Sequence, residues 1–481
     1  MSDQNRRGGH QEYRSNDVIV TPERWNFRGE AVIDSGPQRL LVWQGIPGEE
    51  GKVRILHQGR NQDRGRWIRS KKPHPRRVEP ACDRYTPCGG CPLMHLDNQG
   101  QHRVHRYMVR RALEEAGITA EVDEVVAAPE AVSFRHVIKV GFGYSDIGRP
   151  RMGAFGRDSR TVVPIPKCHV ATPELREVMK ILAHYFIELD IRPFVPERGG
   201  LLRYAVMRQS AHTKEVLVTL IAAKNNRLLR DLASALEENC AFVAGVHMHL
   251  NAAPGNAIFD RDEQGAVGTS RLAGRTMIVE RIADVDYRVG PGDFFQTHPA
   301  MADRLYRDVI QISGAANEVP VVDLYSGVGG FALALAPKTG WALGVESVEG
   351  AVLRARESAS ANAVAAEFTH GEVLDVLPDL ARRLKGRRPL VLVNPARRGL
   401  EDGVISGVLA LEPRKLVYVS CNPQALGRDL RVFVDEGWTI DLVRPYDMFP
   451  NTAHVEVVCA LTPPGGGTAP TARAPRRKLV R

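Results

Sequence analysis

The chain has 481 residues, 43% of them hydrophobic and 25% charged, and a formal net charge of +9. That length and balance exclude a wholly disordered chain and a single small domain, and leave room for two or three separate cores. No apolar run is long enough to span a membrane, and the polar start MSDQNRRGGHQEYRSN has no signal-peptide apolar region, so a cytoplasmic protein without a membrane partner is expected.

In chain order, residues 1–16 hold little that can be buried and are expected to be disordered. From 17 to 73, WNFRGEAVI and RLLVWQGIPGEEGKVRIL set short strands between Gly and Pro turns, which predicts a small β-barrel. Its last segment and the residues just beyond, Arg60 to Arg77, hold eight Lys or Arg and one acid. Such a run can neutralise several phosphates, although a solvated linker has the same composition.

Residues 74–290 begin with cysteines. Cys82, Cys88 and Cys91 lie in CDRYTPCGGC, and Cys168 follows much later in IPKCHV. Three thiols around a Gly-Gly turn can converge on one metal centre, which a distant fourth would close, and the thiolate count does not exclude zinc as its occupant. Seven cysteines in a cytoplasmic chain argue against disulfides. The helical stretch QHRVHRYMVRRALEEAGI comes next, then the strand-like runs HVIKVGFGY, RYAVMRQS, EVLVTLIAA and FVAGVHMHLN. Cys240, ending RDLASALEENC, and Cys459, within VEVVCAL, read as structural.

Residues 291–463 alternate buried strands with helices. PVVDL, WALGVE, PLVLVNP and KLVYVSCNP are near-continuous apolar runs, and such alternation predicts a parallel sheet covered on both faces. Ligands bind outside the carboxyl ends of such strands, where Asp323, Tyr325, Glu346, Asn394 and Cys421 are expected. The turn YSGVGG lets the backbone approach a ligand but lacks a phosphate-loop ending. Glu346, 23 residues after Asp323, suits ribose hydroxyls, so S-adenosylmethionine is the candidate cofactor. Cys421 sits in a polar turn before a helix, whose amides favour a thiolate; it is a candidate nucleophile, with a plain turn cysteine as the alternative. TIDLVRPYDMFPNTAHVEVVCAL leaves no room for a crossover helix, so its two strands should be antiparallel, and Glu456 among valines is either an edge charge or functional. The tail 464–481, rich in Pro, Gly and Arg, is expected to be disordered.

DLYSGVGG, VLVNPARRGL, YVSCNP and DMFPNTAHVE, in that order, closely resemble the RNA 5-methyluridine methyltransferases. The resemblance extends upstream through PGDFFQTH, FRHVIKVGFGY, the four cysteines and a basic barrel like the TRAM domain, and so spans residues 17–463. It implies an α/β protein: a class I methyltransferase (Rossmann-like) catalytic domain, an N-terminal TRAM/OB-like β-barrel at 17–73 and a strand-rich central domain at 74–290.

By resemblance, Cys421 adds to carbon 6 of uracil, carbon 5 receives the methyl group, and Glu456 removes the carbon 5 proton. Gln296, Tyr325, Glu346 and Asn394 take the cofactor positions, with Asn394 standing where relatives usually carry Asp and His298 where Asn is frequent. Cys82, Cys88, Cys91 and Cys168 resemble the 4Fe-4S ligands of the ribosomal-RNA branch, in which a structural role is implied. Phe294 or Phe295 is expected to stack on a flipped base. The implied substrate is a uridine in 23S rRNA, with tRNA as the rival, and a monomer is expected. A second class of reading is an RNA-binding iron–sulfur protein inactivated through Asn394.

Overall fold

The computed structural model describes residues 17–35, 38–157, 161–253, 255, 257–260 and 267–465. The expected disordered segments, residues 1–16 and the tail from 466 onward, lie outside the described residues. The chain divides into two compact units: Met1–Pro80 with Cys91–Val104 and Asn451–Ala453, and Ala81–Gly90 with His105–Pro450 and His454–Arg481. Among the described residues no helix is long and apolar enough to cross a membrane.

The first unit is built on a six-stranded sheet in the order Asp17–Val20, Gly51–His57, Gln62–Ser70, Gln38–Trp43, Ala31–Ser35, Arg24–Trp25. Trp25, Trp43, Val53 and Trp67 form its core. Beneath them the Glu49 carboxylate is buried, where desolvation alone would raise its pKa. Hydrogen bonds from Arg77 at 2.5 Å, Ser70 at 2.7 Å and the His74 amide at 3.0 Å outweigh that cost, and the carboxyl titrates below its usual range. The basic run is therefore tied to the sheet at its far end, while Arg60, Arg69, Lys71 and Lys72 stay exposed. A solvated linker would show no such anchor.

In the second unit, the central sheet runs Thr269–Gly274, Val243–Leu250, Val216–Ala222, Leu202–Gln209, Val137–Tyr144, Pro150–Phe155, Val162–Val163. The helices Pro173–Glu188 and Arg227–Asn239 contribute their apolar sides to its core, through Leu175, Leu182, Phe186, Leu229 and Leu236. Cys240 is the C-cap of the second helix and is buried, and Cys459 is buried within a strand, both as expected of packing residues.

The sheet of residues 321–462 has seven strands: Ala366–His370, Ala342–Glu346, Val321–Leu324, Leu390–Val393, Lys415–Ser420, Glu456–Thr462, Thr439–Tyr446. The first five are parallel, and Glu456–Thr462 runs antiparallel to both neighbours. The expected closing hairpin is present, but Glu456 does not sit on an edge: its strand is flanked on both sides and its side chain is 3% exposed. The true edge strand, Thr439–Tyr446, is shielded by the segment around Asp123 and Val126, whose amides donate to Val443 and Pro445. The short strand Ala366–His370 at the opposite edge carries mixed polar residues and had no periodic signal to reveal it.

Strand order reverses between Val321–Leu324 and Leu390–Val393, because the chain builds one side of the sheet before crossing to the other. The crevice at that reversal is where a ligand is held in open sheets. Asp323 is one residue short of its expected place, lying inside its strand and buried rather than at the end.

Candidate active site

Two groups of side chains meet the carboxyl ends of these strands. The first surrounds the glycine-rich turn. Tyr325 follows Leu324 with φ +64°, a conformation rare for a bulky residue, and Gly327 and Gly329 also have positive φ. Glu346 ends the next strand and locks this turn: Oε2 accepts the Gly327 amide at 2.9 Å and Oε1 the Val348 amide at 2.9 Å. Asp323 Oδ2 accepts the Ala332 amide at 2.8 Å, fastening the start of the helix Gly330–Thr339.

Around this frame, Asp323 Oδ1, the Tyr325 hydroxyl and Ser326 Oγ are buried without hydrogen-bond partners. Buried polar atoms are rarely left so unless a ligand or water completes them. Burial pushes the Asp323 carboxyl up to about 7 and the Tyr325 hydroxyl up to about 12. Orphaned acceptors beside a carboxylate that already gathers backbone amides suit a ligand rich in hydroxyl and ammonium donors, as S-adenosylmethionine is. Asn394 follows Val393 on the neighbouring strand, half-buried, and Gln296 is buried in the loop before the helix Pro299–Ser313.

The second group lies on the other side of the reversal. In SCNP, Asn422 caps the helix Pro423–Asp435 by accepting the Gln424 amide, and Pro423 fills the first turn, where its missing N–H costs nothing. This local chemistry leaves Cys421 at the junction, half-buried. Ser420 pairs with Val457 across the antiparallel ladder, so Cys421 and Glu456 are the next pair in register.

Burial and the neighbouring Glu456 push the Cys421 thiol up to about 11, with Arg397 acting in opposition. The helix start does not yield a resting thiolate as expected, because desolvation outweighs the backbone dipoles. Burial pushes the Glu456 carboxyl up to about 8, again opposed by Arg397. Both groups are thus held predominantly neutral at rest near pH 7. Arg397 was not singled out from the sequence; its only signal was the ARRG run following the NP turn.

The two phenylalanines of PGDFFQTH separate clearly. Phe295 is 6% exposed and packs on Tyr287 with ring centroids 5.3 Å apart, whereas Phe294 is 70% exposed. His298 is the N-cap residue of Pro299–Ser313 but makes no capping hydrogen bond; it stacks on Phe134 instead. Burial pushes its imidazole down to about 4, so it is neutral.

Of the four clustered cysteines, Cys82, Cys88 and Cys168 lie within the second unit and Cys91 within the first. Burial raises the Cys82 and Cys88 thiols, and each is raised further by Cys168 nearby. None of the seven cysteines is in a disulfide. Among the described residues no group of three or more His, Cys, Asp or Glu side chains is arranged to hold a metal ion. The donor chemistry suits iron–sulfur, but the described side chains do not form a ready-made set.

The sequence model of the tRNA (uracil-5-)-methyltransferase family matches residues 209–463. An RNA methyltransferase of Gloeobacter violaceus is 31% identical, over 88% of this chain and 91% of the relative. One of Clostridium tetani is 29% identical, over 90% and 94%. Among solved structures, the Pyrococcus abyssi tRNA (uracil-54, C5)-methyltransferase in complex with S-adenosyl-L-homocysteine is 28% identical, with a TM-score of 0.74 over 92% of this chain and 99% of that one.

Proposed function

The chain belongs to the tRNA (uracil-5-)-methyltransferase family, S-adenosylmethionine-dependent enzymes acting on RNA, and from that premise we propose that Cys421 and Glu456 perform its covalent chemistry. The observation carrying this reading is their adjacency in register, Cys421 just past the carboxyl end of Lys415–Ser420 and Glu456 at the amino end of the antiparallel strand beside it.

Cys421, after its thiol proton passes to solvent, forms a bond from sulfur to carbon 6 of the uracil; the ring π electrons move onto O4 as an enolate, which makes carbon 5 nucleophilic. When bound, S-adenosylmethionine would supply an electrophilic methyl group to carbon 5, with S-adenosylhomocysteine as the leaving group. Glu456, having released its resting proton to solvent, takes as carboxylate the proton from methylated carbon 5. The electrons of that C–H bond become the C5–C6 double bond while the sulfur–carbon 6 bond breaks and returns the thiolate. Gln296, Tyr325, Glu346 and Asn394 hold the cofactor, and exposed Phe294 stacks on the flipped-out base or its neighbour.

The RNA is a uridine-containing loop of 23S rRNA in this reading, with the N-terminal sheet serving as a TRAM-like barrel. Cys82, Cys88, Cys91 and Cys168 hold a structural 4Fe-4S cluster, and binding it would require their deprotonation. A tRNA substrate is the second reading, favoured by the likeness to the Pyrococcus abyssi enzyme. Mass mapping of 5-methyluridine in ribosomal and transfer RNA, from cells with and without the gene, tests both. Loss of one mark from large-subunit rRNA is expected; loss from tRNA alone would select the second reading, and persistence of every mark would count against both.

A further inference from the structure

Two neutral groups, half-buried Cys421 and buried Glu456, must each carry a negative charge during the proposed cycle: Cys421 at attack and Glu456 at proton removal. Leaving either charge uncompensated in a desolvated site is costly. A fixed cation facing both would lower that cost at both steps, provided its backbone cannot drift.

Such a cation is present in the loop following Leu390–Val393. Gly399 closes a turn onto Ala396, and the Leu400 amide donates to Asp429 at 2.8 Å. Arg428 donates to the Arg398 carbonyl at 2.6 Å, and Asn422, the residue after the nucleophile, donates to the Arg397 carbonyl at 2.8 Å. Asp429 is itself buried and accepts the Tyr418 hydroxyl at 2.7 Å. The loop backbone is therefore fastened to the same helix that Cys421 precedes. Arg398 pairs outward with Glu401, whereas Arg397, whose carbonyl is held by the residue next to Cys421, carries a guanidinium close enough to Cys421 and Glu456 to oppose the upward shift of both.

We propose that Arg397 is a positioning residue for both halves of the reaction, a shared counter-charge that stabilises sulfur when it attacks carbon 6 and the Glu456 carboxylate when it takes the carbon 5 proton. This rests on the covalent reading above. Arg397 forms and breaks no bond and holds its proton throughout, since a guanidinium does not titrate in this range. The other groups facing the trio are Tyr306, from the helix Pro299–Ser313 on the Glu456 side, and His454, from the loop leading to Glu456. Neither is a cation fixed against the sulfur. Because Arg397 is exposed to solvent, water screens its charge, and its influence on the thiol is that of a moderate rather than a dominant charge.

The test compares wild type, Arg397→Gln and Arg397→Lys. The readouts are covalent adduct formation with a 5-fluorouridine RNA, pH-dependent alkylation of Cys421 followed by peptide mass spectrometry, and S-adenosylmethionine binding. Arg397→Gln is expected to slow adduct formation about 10²-fold. It should also raise the alkylation midpoint of Cys421 by about one pH unit. Cofactor affinity should stay unchanged, and Arg397→Lys should recover part of the rate. An unchanged adduct rate and midpoint in Arg397→Gln would overturn the proposal. So would joint loss of cofactor binding and melting temperature, which would make Arg397 a folding residue. If the wild type forms no adduct, the covalent reading fails instead, and the alkylation midpoint still reports whether Arg397 acts on the sulfur.

Discussion

Glu456 lies one register step from Val457, the partner of Ser420, so its carboxyl stands beside the sulfur of Cys421 across two neighbouring strands. Neither residue is near the other in sequence, and neither is an ordinary occupant of its position.

Replacing Cys421 separates chemistry from folding. Cys421→Ala is expected to lower methyl transfer by at least about 10³-fold, the scale for removing a nucleophile from a group that acts as a unit. Its melting temperature should stay close to wild type, because the residue is only half-buried. Methyl transfer by Cys421→Ala at more than a tenth of the wild-type rate would rule out sulfur addition.

Removing the base should trap the intermediate rather than prevent it. Glu456→Gln keeps the shape of the side chain but accepts no proton, so a methylated protein–RNA adduct should accumulate and be visible as a slow band on a denaturing gel. Rapid turnover without such a band would assign the proton to another group.

The same residue sets a pH dependence of stability. Its folded pKa, about 8, lies above the ordinary glutamate value of 4.5. Its contribution is therefore fully present below about pH 4.5 and is lost as pH rises through about 8. Glu456→Gln should remove that loss, leaving the variant more stable than wild type at pH 9 by about 3 kcal/mol, after allowing for water entering the site. Denaturant midpoints at pH 5 and 9 check the sign.

At the cofactor frame, Glu346→Ala deletes the acceptor of two backbone amides together with any ribose contact. S-adenosylmethionine affinity should fall by about 10- to 100-fold, as expected for hydrogen bonds to a charged group. Asn394→Asp should act oppositely, tightening binding of this cationic cofactor by about tenfold through a charge-assisted bond. Calorimetric titration measures both.

The exposed aromatic and its buried neighbour predict opposite outcomes. Phe294→Ala should weaken RNA binding by about tenfold, the loss of one stacked base, with little change in stability. Phe295→Ala should cost about 3–5 kcal/mol of stability, as for a core aromatic. A filter-binding assay and a melting curve distinguish the two.

The sequence by itself determined the parallel sheet, because its strands are buried on both faces and read as unbroken apolar runs such as VVDL and LVLV. It also marked Cys421, Glu456, Glu346 and the glycine turn, since each is a residue type out of place in its local pattern. It missed the strand Ala366–His370, whose mixed residues have no period, and it left Phe294 and Phe295 indistinguishable, since neighbours in a loop carry no pattern that says which is buried. Only tertiary structure decided that Glu456 lies inside the sheet, that burial keeps Cys421 and Glu456 neutral, and that Arg397 lies close to them. Those properties depend on which strands become neighbours, and a one-dimensional pattern specifies how a strand is buried without specifying what lies beside it.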